Sequence, residues 1–167
     1  NVAIEFENML PEQMKPYYTD NYDGFNHLHH LEGGCQKATM EYIIRNHDYD
    51  IAQKQIADFK RIKTYLDEKY GYELVKLDIQ ESYLNMAKII KDNYYIIDNL
   101  NQAMTKVGIK AQATPIRGGT DGARLTSMGL PCPNIGTGGA NFHGPFEFVS
   151  LTMMKQAVEV LKELIKE

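Results

Sequence analysis

Apolar residues recur along the first half of the chain with two different periods. Val2, Phe6 and Met9 lie at helical spacing and Pro11 closes their run, so a helix opens the chain. No start signal precedes that stripe and residue 1 is Asn rather than Met, which predicts a chain that begins within an element. The stretch from Pro16 to Gly24 is rich in turn formers and reads as loop. Phe25 to Leu31 then alternates, placing Phe25, His27, His29 and Leu31 on one side and Asn26, Leu28 and His30 on the other. After a Gly33-Gly34 turn, Lys37 to Arg45 alternates again with Ala38, Met40, Tyr42 and Ile44 on the apolar face, so the two runs predict an antiparallel hairpin. From Ile51 the period changes: Ile51, Gln55/Ile56, Phe59, Ile62 and Leu66 form a helical stripe that stops near Tyr70-Gly71. Val75, Leu77 and Ile79 predict one more strand. The order α-β-β-α-β is that of a ferredoxin-like βαββαβ sandwich lacking its first strand.

A second regime follows a boundary near Glu81 to Asn93, dividing residues 1–82 from 83–167. Ile97, Leu100, Met104 and Val107 predict a helix closed by Gly108. Ala111 to Ile116 and Pro133 to Gly136 read as short strands, with a short helix from Asp121 to Met128 between them. Ser150 caps a last helix whose stripe is Leu151, Met154, Val158, Leu161 and Ile165. This alternation predicts the end of an open, mostly parallel sheet, and the fold class is α/β: an α+β domain followed by part of an α/β one.

Composition narrows the function classes. The chain has 167 residues, 43% hydrophobic and 24% charged, with a net charge of −4, as expected of a globular protein. An acidic balance without a basic patch predicts no nucleic-acid partner and no anionic membrane surface. No apolar run approaches the roughly 18 residues of a membrane span and no signal peptide is visible. The two cysteines, Cys35 and Cys132, lack CxxC spacing, which excludes a zinc finger or a disulfide framework and predicts reduced thiols in a cytoplasmic setting.

Candidate chemistry gathers in two segments. In Pro115-Ile116-Arg117-Gly118-Gly119-Thr120-Asp121-Gly122-Ala123 a strand meets a helix through two glycines. Backbone N–H groups and the Arg117 guanidinium can hold an anion there; alternatively the glycines only turn the chain and Asp121 caps the helix. The second segment, Asn134 to Glu147, presents His143 between glycines and Pro145. That imidazole suits a metal ligand or a structural hydrogen bond, with Glu147 either orienting it or starting the last helix. His27 and His29 share a strand face, but zinc needs two further ligands and His30 faces away, so a solvated or interface strand is the simpler reading. Arg45 lies on the hairpin face of Thr39 and Glu41, as a solvated arginine or as a carboxylate clamp.

Taken together, YIIRNHD at 42–48, PIRGGTDGA at 115–123, GLPCPN at 129–134 and TGGANFHG at 137–144 resemble the peptidase T branch of the dizinc exopeptidases, which are aminopeptidases acting on tripeptides. The resemblance runs through the chain in order but covers only the closing part of such an enzyme. It implies that residues 1–82 form the lid, or dimerisation, domain and 83–167 the end of the zinc-binding domain. It makes His143 a zinc ligand, gives Arg45 and Arg117 the substrate's carboxylate or carbonyl end, and places Thr120 and Asp121 at the pocket floor. The intact enzyme would hold two zinc ions and pair through its lids as a homodimer. Its H-x-D motif, its Glu-Glu pair and hence its catalytic carboxylates lie outside this sequence, so the chain alone is expected to be inactive and to bind zinc weakly. A non-catalytic ferredoxin-like module, which dimerises or senses a small anion through Arg117 and the glycines, is the alternative.

Overall fold

A computed structural model describes residues 1–81 and 85–166. The expected boundary between residues 82 and 83 lies outside the described residues. The fold is a mixture of helix and strand, as the α/β class expects, and divides into two compact units. One comprises Asn1–Asn85 with Thr114–Gly119; the other comprises Met86–Ala113 with Thr120–Glu167.

The first unit begins with helix α1, Val2–Met9, followed by two 3-10 turns at Glu12–Met14 and Pro16–Tyr18. Strands β1, Phe25–Gly33, and β2, Ala38–Arg45, pair antiparallel as the alternation predicts. Helix α2, Tyr49–Tyr70, starts at Asp48, whose side chain accepts from Ile51 N at 3.0 Å, and stops at Gly71, where φ is +79°. Glycine adopts that left-handed turn without a Cβ penalty. Phe6, Leu10, Phe59, Ile62 and the fully buried Leu66 form the core, with Val2, Tyr42, Ile44, Val75 and Leu77 packed around it. The α1 stripe therefore continues to Leu10, while Met9 is exposed.

Two corrections concern the sheet. A β-bulge between Leu28 and His30 leaves His29 unpaired and shifts the alternation by one residue. Leu31 pairs with Met40 and so joins the side of Tyr42 and Ile44, whereas His30 pairs with Glu41 on the side of Phe25, His27 and Arg45. The second correction is that residues 75–79 join no ladder. Leu74 N and Val75 N instead donate to Asp67 Oδ1 on α2, at 2.8 and 2.9 Å. The Lys63 ammonium, and then these amides, hold the Asp67 carboxyl down at about 2.

The second unit contains helices α3, Ala87–Asp92; α4, Tyr95–Lys106; α5, Asp121–Ser127; and α6, Leu151–Leu164. A two-residue ladder joins β3, Gly139–Ala140, to β4, Phe148–Val149. Helix α4 ends as expected: Gly108 has φ +76° and Ile109 N returns to Met104 O at 2.8 Å. The segments 111–116 and 133–136 form no strand, and both ladders among the described residues are antiparallel rather than parallel. A strand exists only through a hydrogen-bonded neighbour, and apolar character does not supply one. Val160 of α6 and Ala103 of α4 are buried, and Lys106 pairs with Glu163 at 3.0 Å. The stripe Leu151, Met154, Val158, Leu161 and Ile165 is present, but it is 42–79% exposed, so α6 packs through a different face.

Candidate functional site

In the first unit the sequence-derived arginines meet around Phe25. Arg45 ends β2 directly opposite Phe25 in the ladder, and its Nη1 donates to Ile44 O at 3.0 Å. Arg117 sits over the Phe25 ring with Cζ 5.0 Å from the centroid. Its Nη1 donates to Thr19 O at 2.6 Å and its Nη2 to Thr19 Oγ1. Its Nε is buried and has no hydrogen-bond partner among the described residues. One guanidinium over the Phe25 ring, with a second arginine opposite Phe25 in the ladder, is a cationic arrangement suited to a carboxylate.

The start of β1 is fixed from below by buried amides. Gln55 is 3% exposed in the α2 stripe; its Nε2 donates to Phe25 O at 3.2 Å and to Asn26 Oδ1 at 2.9 Å. Asn46 Nδ2 donates to Gln55 Oε1 at 3.0 Å. Gly24 lets the loop close on this network, because a Cβ there would stand 2.6 Å from Arg45 O and 2.0 Å from Asn46 Nδ2. The sequence reading missed Thr19, Phe25, Asn26 and Asn46 as parts of the site. Gln55 alone carried a visible signal, as a polar residue in register with an apolar stripe.

In the second unit the GGTDGA and PCPN segments lock together. Thr120 is the N-cap of α5: its Oγ1 accepts from Ala123 N at 3.1 Å and from Asn134 Nδ2 at 3.3 Å. Asp121 follows as the first helical residue and is not the cap. Thr126, fully buried, accepts from Cys132 N at 2.9 Å. His143 lies in the loop between β3 and β4 with φ +64°, next but one to Asn141 at +55°. Glu147 Oε2 accepts from His143 N at 3.2 Å, so the carboxylate holds the backbone of the turn rather than the ring, and α6 starts four residues later. The imidazole is exposed.

Arg45 and Arg117 thus belong to one unit and Thr120, Asp121 and His143 to the other. Among the described residues no three His, Cys, Asp or Glu side chains come together as a metal site. His27 and His29 bring their rings to 5.9 Å, without a third donor. Among the described residues His143 is therefore at most one donor of a set, and those residues do not by themselves fit a zinc ion. No helix among the described residues is long and apolar enough to cross a membrane.

Residues 8–167 match the Peptidase family M20/M25/M40, and the chain belongs to that family. Within it, the chain is 42% identical over 165 residues to a peptidase T of Caldanaerobacter subterraneus subsp. tengcongensis, covering 99% of this chain and 40% of that protein. A peptidase T of Fusobacterium nucleatum is likewise 42% identical, over 167 residues, and one of Clostridium acetobutylicum is 39% identical over 170. The chain spans 40–41% of the length of these relatives. The crystal structure of the aminopeptidase PepT of Bacillus cereus shares the fold, with a TM-score of 0.61 at 15% identity over 98% of this chain and 44% of that one.

Proposed function

We propose that this chain works as the C-terminal part of a zinc-dependent tripeptide aminopeptidase, one that releases the N-terminal residue of a tripeptide by hydrolysis. The observation that carries the reading is the 42% identity to peptidase T over 99% of the chain. The motif residues also occupy well-defined positions: two arginines border Phe25, and His143 is presented on a braced turn. Arg45 and Arg117 grip the C-terminal carboxylate of the substrate, which measures its length. Thr120 and Asp121 would shape the pocket floor, and His143 would give one ligand to a pair of zinc ions whose other ligands the rest of the enzyme would supply. When bound, zinc would supply the activation of the attacking water. The chain alone is inactive, the enzyme is cytoplasmic, and it pairs as a homodimer through the hairpin unit.

The test is to assay the complete protein containing this chain on tripeptides, dipeptides and acylated amino acids, before and after chelation and with zinc restored. Release of the N-terminal residue from tripeptides, lost on chelation and regained with zinc, is the expected result. Preference for acylated amino acids redirects the reading to a sister amidohydrolase. Absence of any hydrolysis, with anion binding retained, favours the non-catalytic module.

A further inference from the structure

We infer that Thr19 is a positioning residue for Arg117, setting the guanidinium before a substrate carboxylate arrives. The inference rests on the reading of Arg117 as a carboxylate grip. A guanidinium on a free side chain loses rotamer entropy when it binds, whereas one already held loses less. Arg117 is held on two sides. Thr19 offers two oxygens, its carbonyl and its hydroxyl, to Nη1 and Nη2, while the Phe25 ring covers one face. The hydroxyl is itself oriented: its proton points to Lys15 O at 3.3 Å and Pro16 O at 3.4 Å, leaving a lone pair for Arg117. Pro16 opens the 3-10 turn Pro16–Tyr18 that delivers Thr19, so a local backbone feature sets the position of the clasp.

The clasp does not exhaust the arginine. Two of five N–H groups are spent on Thr19, and the buried Nε remains without a partner among the described residues. Thr19 neutralises no charge, and among the described residues Arg117 forms no ion pair with a carboxylate. A partly desolvated cation with unspent donors favours an incoming anion over a neutral group. Thr19 thus fixes the direction of the fork and leaves its charge for the ligand.

The experiment compares tripeptides bearing a free C-terminal carboxylate with the same peptides amidated, using the complete enzyme. Thr19→Val removes the hydroxyl contact and keeps the carbonyl. The expected result is a rise in KM of about tenfold for the free acids, the scale of one hydrogen bond to a charged group. The amides should be unaffected, the change should fall on KM rather than kcat, and Thr19→Ser should restore the original value. Arg117→Ala run in parallel separates the two ideas. If it erases the preference for the free acid while Thr19→Val does nothing, or weakens acids and amides alike, the positioning role is overturned and the grip survives. If Arg117→Ala leaves the preference intact, the grip and this inference both fail. In the complete enzyme, slow guanidinium rotation of Arg117, seen as separate Nη resonances that merge in Thr19→Val, reports the clasp directly. Separate resonances persisting in that variant overturn it.

Discussion

Tyr42 shows how one side chain ties the hairpin to the helices of its unit. Its ring packs edge-on against Phe59 at 4.9 Å and lies 6.4 Å from Phe6, while its hydroxyl donates to Glu7 Oε2 on α1. Glu7 Oε1 in turn takes Lys15 Nζ at 2.9 Å. Burial, and then the hydrogen bond to Glu7, push the phenol well above its ordinary value of 10. The folded state therefore prefers the protonated phenol. Its contribution is fully present below the unfolded value near 10 and is lost as pH rises towards the higher folded value. Tyr42→Phe keeps the ring and deletes the donor, so urea unfolding at neutral pH should show a loss of about 1.5 kcal/mol. The variant should also lose less stability than the parent between about pH 10 and 11, where only the parent has a phenol to ionise at this position. Equal alkaline sensitivity in the two proteins would refute the assignment.

At the scale of elements, glycine at the second position of α5 gives a case where two effects oppose each other. In an exposed helix Gly→Ala gains about 1 kcal/mol. At Gly122 a Cβ would stand 2.5 Å from Cys132 O and 2.8 Å from Asn134 Oδ1, so the PCPN backbone must move. Overpacking of that kind costs about 1–3 kcal/mol, and the immovable partner here is main chain. Gly122→Ala should thus destabilise the second unit by about 2 kcal/mol in urea unfolding, while Gly118→Ala, where nothing lies within 4 Å, should not. The same contrast explains what was legible in the sequence. Helices α2 and α4 could be read because period and stop signal coincide within each segment: Phe59, Ile62 and Leu66 before Gly71, and Leu100 and Met104 before Gly108. The hairpin was legible too, but not its bulge at His29, since an unpaired residue leaves no mark in an alternating pattern. Residues 75–79, 111–116 and 133–136 are apolar enough to suggest strands, yet a ladder depends on a distant neighbour that a local pattern does not contain. Helix α3 escaped notice because six residues are too few to show a period. Of the site, Arg45, Arg117 and His143 were legible as candidates in their own segments, and the motif resemblance assigned their roles and added Thr120 and Asp121 as pocket floor; Thr19 and the buried amides depend on folded proximity between residues distant in sequence.

For the molecule as a whole, the donor inventory decides what this chain can do with a metal. A zinc site requires three or four ligands converging on one point, and ligand number dominates affinity. Among the described residues His143 is exposed, its neighbour Glu147 is turned to the backbone amide, and no three candidate donors converge anywhere. Cys35 and Cys132 are both free, and the His27–His29 pair lacks a third donor. In the reading proposed above, the remaining length of the peptidase supplies the missing ligands. The 167-residue chain, equilibrated with excess zinc and then passed through a desalting column, should retain well under one ion per chain and release no amino acid from a tripeptide. Substituting His143 by Ala should change neither result, because one donor does not make the site. Retention of a stoichiometric ion that depends on His143 would mean that this chain assembles a metal centre from its own residues, and the division of ligands between two parts of the enzyme would then be wrong.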